Sequence, residues 1–188
     1  MESILFFNKT NYFCPMKSTR GLEFKYAFLI SIFSLIWIAF EQLLGFQDEY
    51  LEWHKIITNF SLVIPIIGIW LALKEFKQAK ITKYDFQKGF GIGFRITLIN
   101  TVLVIPIVYA FYVFINPEWP FTMINKAKLD ALELGKDPLK AIEEARSYFS
   151  LKYYMIQSII GTFIFGTLIS SVIAFWIKNR GKSKSSWS

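Results

Sequence analysis

The chain has 188 residues, a formal net charge of +7 and a mean hydropathy of +0.39, and it is 54% hydrophobic and 19% aromatic. Ordinary water-soluble domains are less apolar than this, so the composition points to a membrane protein. The single cysteine, Cys14, excludes an internal disulfide and leaves no paired thiols for a redox or thiolate-metal centre.

The first fifteen residues, MESILFFNKTNYFCP, do not fit a secretory signal, because the apolar run is short and interrupted by Asn8, Lys9 and Asn11. Nor do small residues precede Cys14, as they would in a lipid-attachment box. Met16, followed by KSTRG, has the features of a start of its own. Residues 1–15 are therefore read either as a mobile extension or as a start assigned too early. Residues 1–25 as a whole form a basic N-terminal segment carrying Lys9, Lys17, Arg20 and Lys25.

Four windows then predict an all-α membrane domain over residues 26–177: Tyr26–Leu44, Ile56–Leu73, Phe90–Ile115 and Tyr153–Ile177. Each approaches or exceeds the roughly 20 helical residues that cross a hydrocarbon core. Pro65 and Pro106 lie inside the second and third windows and free the carbonyls of Ser61 and Val102, so bends are expected there. Trp53, Trp119, Tyr153 and Tyr154 are placed at one head-group level, and Trp70, Trp176 and Tyr26 at the other. Trp37 falls mid-span and does not fit that pattern.

Between the third and fourth windows, residues 116–152 balance six basic with six acidic residues. Asp137 followed by Pro138 is a helix-start signal, and Leu139, Ile142, Ala145 or Arg146, and Phe149 recur at helical spacing. Gly135 is suited to close a preceding helix over about Pro120 to Leu134. An external helical hairpin is the expectation. The tail, residues 178–188, is basic and rich in serine.

The location of the basic residues sets the expected orientation. They concentrate in the lead-in, in the second connection (Lys74, Lys77, Lys80, Lys83, Lys88) and in the tail (Lys178, Arg180, Lys182, Lys184), whereas the first connection carries Asp48, Glu49 and Glu52 against Lys55. Lysine and arginine accumulate on cytoplasmic flanks, so both termini are expected to be cytoplasmic. The positive charge is then accounted for by topology and by anionic lipid head groups on that side, with no nucleic-acid partner.

One stretch resembles a chemical motif: KGFGIGFRITLIN, Lys88 to Asn100. A dinucleotide fingerprint needs GxGxxG between a strand and a soluble helix, and this stretch has GxGxG leading into a span. The four-residue spacing of Gly89, Gly93, Thr97 and Thr101 instead predicts a small-residue face for close helix contact. The fourth window carries a matching stripe, Ser158, Thr162, Gly166, Ser170 and Ala174. Whether the stripes meet each other or a second chain stays open at this point.

Polar residues inside the spans are the remaining candidates. Arg95 lies about 8 Å past the start of its window, and its side chain leans toward its own N-terminus, so it is expected to snorkel to the head groups. Glu41 leans into the membrane and is open to a structural hydrogen bond or to a role in ion or ligand passage, with Gln42, Asn100, Gln157 or Lys55 as expected partners. Asn59 and Asn100 are read as interhelical hydrogen-bonding groups. His54 with Glu49 and Glu52 is too sparse for a metal site, and no GxSxG, HExxH or P-loop pattern occurs. No catalytic residue, cofactor or metal site is expected.

The layout resembles a family of bacterial membrane proteins, domain of unknown function 4199. The resemblance is carried by the basic lead-in, the four spans, the loop running into DFQKGFGIGFRITLI with Phe86, Gly89, Phe90, Gly93 and Thr97, and the charged helical segment before the last span. It covers about Leu22 to Lys178 and implies a bacterial inner-membrane protein, but brings no activity, cofactor or catalytic residue with it. The residues before Met16 and Arg95 lie outside what it explains. The favoured expectation is a non-enzymatic accessory or scaffold subunit that forms a homo-oligomer or joins a membrane-protein partner through its small-residue faces. The alternative is a small transporter or channel protomer with a polar path near Glu41, Asn59, Arg95 and Asn100.

Overall fold

The computed structural model describes residues 19–79 and 83–179. The extension and start-site expectations for residues 1–15 lie outside the described residues, as does the tail from residue 180. Among the described residues seven α-helices form: α1 (Thr19–Leu43), α2 (Leu51–Phe60), α3 (Val63–Gln78), α4 (Phe86–Ala110), α5 (Trp119–Glu133), α6 (Pro138–Tyr148) and α7 (Leu151–Asn179). A π-helical segment, Phe111–Ile115, continues α4. Four spans are long and apolar enough to cross a membrane: Thr19–Leu43, Leu51–Gln78, Phe86–Ile115 and Leu151–Asn179. The first begins seven residues before the window read from the sequence, inside the stretch assigned to the lead-in, because Glu23 and Lys25 are accommodated by partners on neighbouring helices.

Local chemistry explains the helix limits. Gly45 (φ +74°) and Gly135 (φ +63°) close α1 and α5 in the left-handed conformation that a side chain disfavours. In both closures the two nitrogens beyond the helix turn back onto its last carbonyls, Phe46 N to Glu41 O (3.1 Å) with Gly45 N to Gln42 O (3.0 Å), and Lys136 N to Ala131 O (2.8 Å) with Gly135 N to Leu132 O (3.2 Å). Asp137 then caps α6 through Leu139 N at 2.9 Å, with Pro138 at the first helical position. Asp85 caps α4 by accepting from Lys88 N at 2.8 Å. That bond holds the Asp85 carboxyl below the usual range. Its contribution is complete above the unfolded carboxyl's pKa and is lost as pH falls through the lowered folded value.

The second span is divided rather than merely bent. Pro65 has no N–H for Ser61 O, and Ile64 N takes that carbonyl at 3.1 Å, while Ser61 N and Leu62 N bond Thr58 O (3.0 Å) and Asn59 O (3.1 Å). Tightened i to i+3 bonds therefore replace one α-helical turn and separate α2 from α3. At Pro106 the helix runs on to Ala110 and widens afterwards, with Asn116 N reaching Phe111 O at 2.8 Å.

Around the bundle, α4 lies between α1 and α7, and α3 completes the ring against α1 and α7. α5 and α6 pair as a helical hairpin between the last two spans. One end of the bundle, here the basic end, carries the start of α1, the connection from α3 to α4 and the end of α7. The other, the hairpin end, carries residues 44–50 and the hairpin. A core of Tyr26, Ala27, Leu73, Ile92, Ile96 and Ala174 fills the basic half, and a separate cluster of Val108, Phe111, Tyr112 and Trp119 closes the hairpin half. Phe28, Ile36, Val102, Leu168 and Val172 point outward, as lipid contact requires.

The two small-residue stripes face each other within the chain. A Cβ on Gly166 would lie 2.5 Å from Thr97 Cγ2, and one on Gly93 would lie 2.8 Å from Ser170 Cβ. The Thr97 hydroxyl donates to Gly93 O (3.0 Å) and the Ser170 hydroxyl to Gly166 O (2.7 Å), so both are satisfied in a dry contact. Gly89 lies against the Tyr84 ring, whose hydroxyl donates to Ala174 O at 3.3 Å. Burial and the nearby Asp85 charge push that hydroxyl up to about 12, so it stays protonated and a donor. Thr101 bonds back to Thr97 O at 2.9 Å.

Gly166→Leu should separate α4 from α7 and destabilise the bundle by about 1–3 kcal/mol. Gly161→Ala on the same helix, where nothing lies within 4 Å, is the control and should leave thermal unfolding in detergent unchanged.

Candidate functional site

A cavity of about 550 Å³ lies between the two core clusters, walled by all four spans. Ser158 and Thr162 of α7 line it, and so do Thr97 and Gly166 from the contact between the two stripes. Asn100, Gln157 and Ser31 line it too, among aliphatic walls such as Ile69, Ile107 and Ile169. Asn100 accepts from Ser31 Oγ at 2.9 Å and so links α4 to α1.

Glu41 is the charged group of this cavity, at 2% exposure. Of its expected partners, Gln42, Asn100 and Gln157 are not the ones it has, and the Lys55 side chain lies outside what the structure describes. Trp37 Nε1 donates to one carboxylate oxygen, one turn back on α1. Thr58 Oγ1 at 3.1 Å and Gln47 Nε2 at 3.4 Å donate to the other. The mid-span position of Trp37 is thereby explained. Gln42 is engaged elsewhere, accepting from Asn116 Nδ2 (2.7 Å) and donating to Asp48 (2.7 Å), and Asn100 belongs to Ser31. Gln157 reaches Tyr148 O at 3.5 Å.

The chain of donors extends one step further. Thr58 Oγ1 lies 3.3 Å from His54 Nδ1. A threonine hydroxyl has one proton, and with that proton given to Glu41 Oε2 the imidazole nitrogen is the donor to Thr58. His54 therefore turns toward the cavity, its ring 4.8 Å from that of Trp119. Among the described residues, no group of three or more His, Cys, Asp or Glu side chains is placed to hold a metal ion.

Trp119 departs from its expected interfacial position. It is only 2% exposed, inside the hairpin-end cluster, because the turn after Asn116 folds it back over Phe111 and His54. Trp53 and Tyr153 are exposed, 56% and 46% respectively. Asn59 sits on the exposed side of α2 and does not line the cavity.

Arg95 likewise lies away from the cavity, and snorkelling is not the whole account of it. Its guanidinium meets Glu23 of α1 through Nη2 at 2.8 Å and Nε at 2.9 Å. The Glu23 side chain is 4% exposed and the Arg95 side chain 49%, so the arginine neutralises a buried carboxylate while keeping one side open. Glu23 was missed because it precedes the apolar window. Its spacing to Ala27 and Ile30, one face of a helix, was the available signal. Nearby, Glu75 accepts from Lys25 (2.9 Å) and Tyr26 (2.7 Å), and Lys77 donates to Ile177 O (2.7 Å) near the end of α7. These contacts tie α1 to α3 and α4, and α3 to α7, at the basic end.

Four apolar helices packed side by side, with a cavity between them, define a polytopic α-helical membrane protein. The sequence profile of the family described as "Protein of unknown function (DUF4199)" matches residues 25–179, and the chain belongs to that family. No curated protein and no solved structure matches the chain.

Arg95→Ala leaves Glu23 buried without its partner and should cost about 2–3 kcal/mol. Glu23→Ala combined with Arg95→Ala should recover most of that loss, as read from thermal unfolding of the four proteins of the cycle.

Proposed function

We propose that this chain is a multi-pass protein of the bacterial inner membrane that binds a small solute within its bundle, as a transport or channel protomer. The observation that carries this reading is the internal cavity with the buried carboxylate of Glu41 on its wall. Concave, mostly apolar sites with a few convergent polar groups are where small ligands bind, and an intramembrane carboxylate is a functional group by default. The polar path differs from the one read in the sequence. Glu41 and Asn100 belong to it, together with Thr58, Ser158 and Thr162, whereas Asn59 and Arg95 do not line it.

The scaffold reading rested on small-residue faces free to receive a partner. Gly93, Thr97, Gly166 and Ser170 are instead in contact with one another, which removes that support. The proposal requires no catalytic chemistry. It keeps both termini cytoplasmic, on the strength of the basic lead-in, second connection and tail, and places the hairpin outside.

Two experiments test this reading. In a panel of small solutes, at least one should raise the unfolding temperature of the detergent-solubilised protein, and Thr162→Phe, which fills the cavity from α7, should abolish that rise. Stabilisation that persists in the filled variant, or none with any solute, would remove the cavity as the site. For orientation, single cysteines at Lys80 and Asp137, in a chain with Cys14→Ser, should be labelled by an impermeant maleimide from the cytoplasmic side and from the outside respectively. The opposite pattern overturns the topology.

A further inference from the structure

The described residues include two buried glutamates, and they are treated oppositely. Glu23 has a guanidinium against it. Glu41 is held by Trp37, Gln47 and Thr58, all neutral donors, with His54 one hydrogen bond beyond Thr58, and no ion pair to it is found among the described side chains. A buried carboxyl group met by neutral donors, unlike Glu23, is one to which a cation from outside the chain can be matched.

The space available shows what kind of cation fits. About 550 Å³ is far more than the roughly 30 Å³ share of one liquid water, and it falls in the range of about 300–1,000 Å³ typical of organic ligands. Trp37, Trp119 and Tyr154 place aromatic rings on the same walls as Glu41, and ring faces attract desolvated cations. Farther along, the walls are aliphatic, with Ile69, Ile107 and Ile169. A hydrophilic cation would leave those walls unmatched. A neutral amphiphile would leave the carboxylate without a countercharge, and an anion would be repelled.

Resting on the reading of the cavity as a ligand site, we propose that it takes a lipophilic organic cation. The positive centre sits at Glu41 among the rings, and the apolar body lies along the α3, α4 and α7 walls.

Binding of tritiated methyltriphenylphosphonium to the purified full-length protein in detergent tests this. Saturable binding is expected, with neutral triphenylphosphine oxide, of nearly the same shape, competing about tenfold or more less well because it lacks the charge. Glu41→Gln should weaken binding by a similar factor, while Glu41→Asp retains most of it. The comparison of competitors uses the wild-type protein alone, so it decides the matter even if Glu41→Gln does not fold. Equal displacement by the neutral competitor, wild-type affinity in a folded Glu41→Gln protein, or no saturable binding each overturns the cation assignment. If solute stabilisation abolished by Thr162→Phe is still seen, the cavity stands as a ligand site and only its charge preference falls.

Discussion

The most extensive helix contact in the bundle is between α4 and α7, and the rest of the arrangement is built around it. Two glycines, Gly93 and Gly166, each receive the side chain across from them, Ser170 and Thr97, at distances that leave no room for a methyl group. In lipid there is little hydrophobic gain from joining two apolar helices, so tight van der Waals contact must supply the association. The hydroxyls at this contact bond to carbonyls of their own helices and therefore do not call for water. Thr97 and Gly166 of this contact line the cavity as well, alongside Ser158 and Thr162 farther along α7. The cavity and the contact are thus two halves of one geometry.

Charge is handled along the same axis. Toward the basic end, each of Glu23 and Glu75 has a cation and each ion pair bridges two helices, which adds orientation to packing that is otherwise non-directional. Toward the hairpin end, Glu41 is met by neutral donors from the loop, from α2 and from its own helix. One buried carboxylate has its countercharge built in, and the other is met by neutral donors among the described residues.

The number of spans, the hairpin and the two helix-closing or helix-starting signals at Gly135 and Asp137 were legible because they depend on local sequence: apolar length, a left-handed glycine and a capping carboxylate. The stripes were legible as stripes, but their partner was not, since spacing on one helix contains no information about which neighbour faces it. Glu41 stood out from its position in an apolar run. Its real partners did not, because Gln47 arrives by way of the turn at Gly45 and Thr58 by way of the break at Ser61, both three-dimensional consequences of local features. Glu23 escaped notice for a different reason: an acidic residue just before an apolar window is normally solvated, and only the crossing of α1 and α4 buries it. Trp119 was misplaced because amphipathic aromatics usually mark an interface, while the chain here folds back over it.

The contact between α4 and α7 also sets an order on biosynthesis. The stripe on α4 leaves the ribosome more than fifty residues before its complement on α7, with the whole hairpin between them. Until the final helix inserts, Gly93 and Thr97 have only lipid or α1 and α3 beside them, and the cavity lacks the wall formed by Ser158 and Thr162. A nascent chain halted between Glu41 and Leu151 therefore contains the acid but lacks the α7 wall of the cavity. Insertion of the last span is the step that completes the cavity on whose wall Glu41 lies, whereas the donors to Glu41, Trp37, Gln47 and Thr58, are all in place earlier in the chain.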